Sequence, residues 1–149
     1  NSNMRDIKFR AWSNKTKEML SWLLIKQSAF NNGNTQLMYN VFTDPSFNND
    51  CGYMLMQFTG KQDLSGVEIY ENDLIKATRA NSSLGGFNDI YKVVYNETQA
   101  CFCLECVKSD NSYRVGQIAL TSSNNRPYLI DSKISKVIGN IYENPELIK

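Results

Sequence analysis

The sequence predicts a mostly β protein, a small SH3-like or related partly open β-barrel with additional N-terminal strands. Three observations lead there. Apolar and polar residues alternate over short stretches, the two-residue period of a strand with one buried face. Clusters of Asn, Asp, Ser and Gly separate these stretches at short intervals, as in small barrels and sandwiches. No segment shows a long, capped helical period, and no internal repeat is evident.

In chain order, Met4–Trp12 is the first expected strand, with Ile7, Phe9 and Ala11 alternating with Lys8, Arg10 and Trp12. Ser13-Asn14-Lys15 is a turn, and Met19–Ile25 returns as the second strand of a hairpin. Residues 26–52, rich in Asn, Ser, Thr and Asp, are undecided between loops and short strands. Tyr53–Phe58, Val67–Tyr70 and Leu74–Thr78 are further strands, separated by turns at Asp63–Gly66 and Glu71–Asp73. A Gly85-Gly86 loop leads to Ile90–Tyr95, then Ala100–Val107, Tyr113–Leu120, a polar loop over Thr121–Pro127, and a last strand at Lys136–Tyr142. Leu74–Tyr142 would supply most of the barrel, with Met4–Trp12 packed onto it.

The bulk properties bound the function. The chain has 149 residues, enough for a single β domain over residues 4–149, with residues 1–3 read as a cloning remnant and Met4 as the native start. Apolar residues make up 42%, sufficient for a real core. The net charge of +1 carries no global signal for nucleic acid or for a basic partner. No apolar stretch approaches the ~20 residues of a membrane helix, so a cytosolic location is expected. Histidine is absent, which removes Ser-His-Asp and Cys-His catalysis in their usual forms and every His-containing metal site. Enzymatic chemistry would rest on carboxylates, a lysine or a lone cysteine, which favours a binding module over an enzyme.

Each cluster of chemically capable residues has a structural reading beside the functional one. Cys101, Cys103 and Cys106 form C-x-C-x-x-C, but strand alternation puts Cys106 on the face opposite the other two, so buried thiols are favoured over a metal site. Glu68, Glu71 and Asp73 could hold a hard cation, yet carboxylates at turns more often accept backbone N–H groups. Lys8, Arg10 and Trp12 share a strand face and are the one speculative binding stripe, with phosphates on the cations and a base on the ring. Packing is the simpler reading of that stripe. No catalytic residue, metal ligand or cofactor is assigned. Gly85-Gly86 lacks the Lys-Ser/Thr pair of a phosphate loop.

Three stretches then carry a family resemblance: Met4-Arg5-Asp6-Ile7-Lys8-Phe9-Arg10-Ala11-Trp12; Leu55–Asp63 running on to Gly66–Ile75; and Val137-Ile138-Gly139-Asn140-Ile141-Tyr142-Glu143-Asn144-Pro145. In content and order they resemble the YopX family of phages and prophages of Gram-positive bacteria. Asn72 stands where the family usually has Gly, and Asn is the next-best residue for positive φ. The resemblance implies a β-barrel-like domain and an accessory protein of phage or prophage, but no reaction. The leading expectation is non-enzymatic macromolecular binding, with a nucleic-acid-binding module and a metal-dependent nuclease-type hydrolase as alternatives. The expected partners are a second copy of the chain, through β-edges or the Tyr53/Leu55 strip, and a host or phage protein. Nucleic acid ranks behind these, and no membrane partner is expected.

Overall fold

The structure, a computed structural model, describes residues 4–31, 41–42, 52–78, 88–121 and 124–149. The chain forms two compact units, Asn1–Phe58 and Thr59–Lys149, and the boundary falls inside a strand. The fold is mostly β, as predicted. Among the described residues the strands are β1 (Phe9–Ser13), β2 (Glu18–Leu20), β3 (Tyr53–Gln62), β4 (Glu68–Tyr70), β5 (Asp73–Ala77), β6 (Ile90–Asn96), β7 (Cys101–Lys108) and β8 (Ser135–Asn140), and a helix, α1, runs over Trp22–Asn31. They make two four-stranded sheets, ordered β2-β1-β3-β4 and β7-β6-β5-β8. The first expected strand therefore belongs to its own sheet and is not a strand of the β5–β8 sheet.

In the N-terminal unit, β1 pairs antiparallel with β2 and β3, with Trp12 opposite Met19 and Met54. The predicted hairpin forms, but its second strand is cut short. Chain expected to continue as strand to Ile25 turns into α1 instead. Ser21 is the reason: its Oγ accepts the Leu24 N–H at 3.3 Å and its carbonyl accepts the Ile25 N–H at 3.0 Å. A serine N-cap ahead of Leu, Lys and Gln is a helix start, and the apolar run conceals it by also fitting a strand. Ile25 is fully buried with Ala11 and Val41, and Leu20, Trp22, Tyr53 and Leu55 pack around them.

In the C-terminal unit, a larger core gathers Ile69, Ile75, Tyr91, Val93, Leu104 and Cys106 among others. Each fully buried side chain of this size contributes roughly 1.5–3 kcal/mol. The β5–β8 sheet curls around this core as a half-barrel. Register shifts at Leu74/Ile75 and at Ile90/Tyr91 help it bend.

Both edges of that sheet are covered. On the β7 side, Cys106 N–H donates to the Gln117 carbonyl at 2.9 Å and Ala119 N–H to the Leu104 carbonyl at 2.8 Å. Tyr113–Leu120, predicted as a strand, is a short 3-10 turn (Ser112–Arg114) followed by isolated bridges, because Gly116 takes a positive φ of 82° and breaks the run. On the β8 side, the Asp63 turn closes the edge: Leu64 N–H reaches the Ser135 carbonyl at 3.0 Å and Val137 N–H reaches Asp63 Oδ2 at 3.0 Å. Covered edges blunt strand addition.

Candidate functional site

The predicted stripe on β1 is largely engaged in the protein's own structure. Lys8 Nζ lies 3.2 Å from the Asp6 carboxylate and 5.1 Å from the centre of the Phe58 ring. Trp12 is only 7% exposed, and Arg10 is half-buried and makes contacts of its own within the protein. The Tyr53/Leu55 strip expected to await a partner is half-buried against Ala11, Ile25 and Val41 of the same chain.

The acidic cluster builds a turn. Asp73, 1% exposed, accepts the Tyr70 N–H at 2.8 Å, while Glu68 accepts the Tyr70 hydroxyl at 2.8 Å. Asn72 between them has the expected positive φ, 64°. Asp63 does similar work one turn earlier, accepting from Ser65, Val67 and Val137 N–H at 2.8, 2.9 and 3.0 Å. Burial pushes its carboxyl up, but these three bonds and the Lys136 charge together hold it below the ordinary carboxylate range. In the last family-like stretch, Gly139 has φ 151°, and a Cβ there would sit 2.3 Å from Asn144 Oδ1. Asn140 Oδ1 meanwhile accepts the Tyr142 and Glu143 N–H groups at 3.0 and 2.9 Å. Asp63, Asn72, Asp73, Gly139 and Asn140, all within family-like stretches, thus build turns.

The cysteines face both sides of β7. Cys103 and Cys106 are buried and Cys101 is half-buried; Cys51 lies outside the described residues. Burial pushes the Cys103 thiol up to about 11 and the Cys106 thiol up as well, the opposite of an activated nucleophile. Beside Cys106 is a closed polar cluster: the buried Asp89 carboxylate accepts from the Tyr91 hydroxyl at 3.2 Å and pairs with Arg114 at 3.1 Å. Burial also raises the Tyr91 phenol, so its hydroxyl keeps its proton at neutral pH. Among the described residues no three of Cys, Asp and Glu converge as a metal site.

A different part of the C-terminal unit gathers unengaged charge. The Leu120↔Pro127 bridge and the Thr121 N–H bond to the Arg126 carbonyl at 2.8 Å close a tight hairpin, helped by Asn125 at φ 55°. This turn presents Arg126. Tyr128 N–H is held by the Ala119 carbonyl at 2.7 Å, and Leu129 by its bridge to Cys103. Asp131 then turns the chain into β8, accepting the Lys133 N–H at 2.9 Å on its side chain and the Ser135 N–H at 3.0 Å on its carbonyl. With Lys61 from the end of β3, these residues line an open groove of about 620 Å³, within the ~300–1,000 Å³ typical of ligand sites. Lys61, Arg126 and Lys133 are exposed, and no ion pair among the described residues involves them. Among the described residues Asp131 is the one acid in the lining. Leu129, 60% exposed, and half-buried Tyr128 give the groove an apolar floor.

In sequence this groove is no more than a polar loop. Arg126 and Lys133 with a single acid between them are a visible signal. Lys61, some sixty residues upstream, is not.

The family model for YopX protein matches residues 8–149. The chain belongs to the YopX family. No curated protein matches it. Among solved structures it is similar to the crystal structure of protein EF1440 from Enterococcus faecalis, at 24% identity and a TM-score of 0.53, over 98% of this chain and 100% of that one. That likeness speaks for the fold. No helix among the described residues is long and apolar enough to cross a membrane.

Proposed function

We propose that the protein is a non-enzymatic accessory protein of phage or prophage, working in the host cytosol by binding an anionic macromolecule. Membership of the YopX family supports the phage association. The observation that carries the binding reading is the groove of Lys61, Arg126 and Lys133, where three exposed cations face a single carboxylate. Placing like charges together without acidic partners costs repulsion that an anionic ligand removes. The raised thiols and the raised phenol of the cluster beside β7 offer no base or nucleophile, which favours binding over catalysis.

Chromatography on immobilised heparin at low salt tests the reading. The protein is expected to be retained, the double variant Arg126→Glu/Lys133→Glu to elute much earlier, and Lys8→Glu to elute close to the parent. Elution of both variants together with the parent would place the anion-binding surface elsewhere and overturn the assignment.

A further inference from the structure

We infer that the occupant of the groove is single-stranded nucleic acid, its phosphates on Lys61, Arg126 and Lys133 and a base resting on the floor at Leu129. This rests on the anion-binding reading above and narrows it. The groove joins two chemistries that few anions share. Its rim is cationic and exposed, whereas its apolar lining is made of Leu129, 60% exposed, half-buried Tyr128, and buried Pro127 and Ile130.

An exposed leucine beside three cations is a poor match for a ligand that is charged throughout. Polyphosphate or a sulfated sugar can meet the cationic rim, but it gains nothing from the apolar floor, where hydrated anions would lose solvation. Duplex nucleic acid presents its phosphates on the outside and keeps its base faces stacked within, out of reach of Leu129. A single strand carries phosphates at regular spacing and flat, poorly solvated base faces between them, so one segment satisfies rim and floor together. An acidic peptide supplies the charge but has no flat apolar group tied to each anion.

The surrounding structure holds the rim in place without using its charges. Arg126 N–H is bound to Thr121 Oγ1 and Asn124 Oδ1 at 3.4 and 3.3 Å, and Lys133 N–H to Asp131 Oδ1 at 2.9 Å. Backbone bonds fix the positions while the guanidinium and ammonium groups stay exposed. Asp131 leaves a local excess of two positive charges, enough to favour a short segment of backbone but not to clamp a long one.

Fluorescence anisotropy with labelled probes decides the matter: oligothymidylate and oligouridylate of roughly twelve nucleotides, a duplex of the same length, inorganic polyphosphate and a polyglutamate peptide. Single strands are expected to bind about tenfold tighter than the duplex or the peptide, with a log–log salt slope of about −2, three phosphate contacts at roughly −0.7 each. The DNA and RNA arms show which sugar is preferred. Leu129→Ser is expected to weaken single strands about fivefold and to leave polyphosphate binding unchanged, a split that a misfolded variant would not give. Circular dichroism unchanged from the parent accompanies it. If polyphosphate or the peptide binds as well as the single strands and Leu129→Ser is silent, this inference fails while the anion-binding reading stands. If no probe binds, both fail.

Discussion

Two basic regions of the molecule differ in one respect: what already surrounds their charges. On β1, Lys8 sits between Asp6 and the Phe58 ring and Trp12 is buried, so the stripe stabilises its own unit. Along the groove, Lys61, Arg126 and Lys133 stand exposed, and none of them is in an ion pair among the described residues. The β1 stripe resembles a binding face in sequence because alternation puts its residues on one side of a strand. The groove resembles a plain loop because its members are scattered. Residue type and periodicity find a face, but only the neighbours in space decide whether that face is already occupied.

The contrast is broken most forcefully at Trp12. If β1 is structural, Trp12→Ala opens a cavity in the N-terminal unit and lowers unfolding free energy by about 3 kcal/mol or more, while polyanion binding by the fraction that remains folded is preserved. Urea denaturation followed by circular dichroism measures the first and anisotropy the second. A stable Trp12→Ala protein that has lost binding would return the ligand surface to β1.

Next in size is Asp63, a charge engaged as fully as any in the C-terminal unit. Asp63→Ala leaves the Ser65, Val67 and Val137 N–H groups without their acceptor, a loss on the order of 3 kcal/mol. The pH dependence follows from the lowered carboxyl. Its folded value lies below the unfolded one of about 3.9, so its stabilisation is complete above that range and is lost as pH falls through the folded value. The stability gap between parent and Asp63→Ala should therefore be constant from neutral pH to about pH 5 and shrink below about pH 4. A gap that widens on acidification would mean that Asp63 is not held ionised by these bonds.

How much of this is legible in the sequence follows the range of the interaction concerned. The Asp63 and Asn72 turns, the hairpin after β1 and the strands from β3 to β8 are set by local chemistry: a side chain that bonds its own backbone a few residues on, a positive φ, an alternating face. Those readings hold. The helix α1 escapes a strand-based reading although Ser21 announces it, since Trp22–Ile25 is equally apolar to a strand and a helix and the strand pattern competes. The stretch from Tyr113 to Leu120 has strand composition, but Gly116 and the Asn111 side chain bonded to the Tyr113 N–H turn it into a 3-10 coil. The groove is the least legible feature. It joins the end of β3 to a hairpin far along the chain, and nothing in a linear pattern links Lys61 to Arg126.

The smallest expected effect is also the most direct comparison of the two regions, a matched pair of cation deletions. Lys8→Ala removes an ion pair with an exposed aspartate and a cation over a ring, together worth about 0.5–1 kcal/mol. Arg126→Ala removes a charge without an acidic partner among the described residues, so its effect on stability should lie within about 0.5 kcal/mol and its sign should be favourable, because repulsion with Lys61 and Lys133 is relieved. Salt separates the two further. Raising the ionic strength screens the Asp6–Lys8 attraction and weakens the loss seen in Lys8→Ala, whereas it screens the groove repulsion and weakens the gain seen in Arg126→Ala. Parallel urea titrations at low and high sodium chloride, with both variants and the parent on one plate, resolve differences of this size in the midpoint. Opposite signs that converge toward zero with salt are the outcome expected of one engaged and one unengaged cation. If both variants lose stability equally and salt leaves the loss unchanged, Arg126 has a structural partner, and the groove becomes another stripe of the same kind as β1.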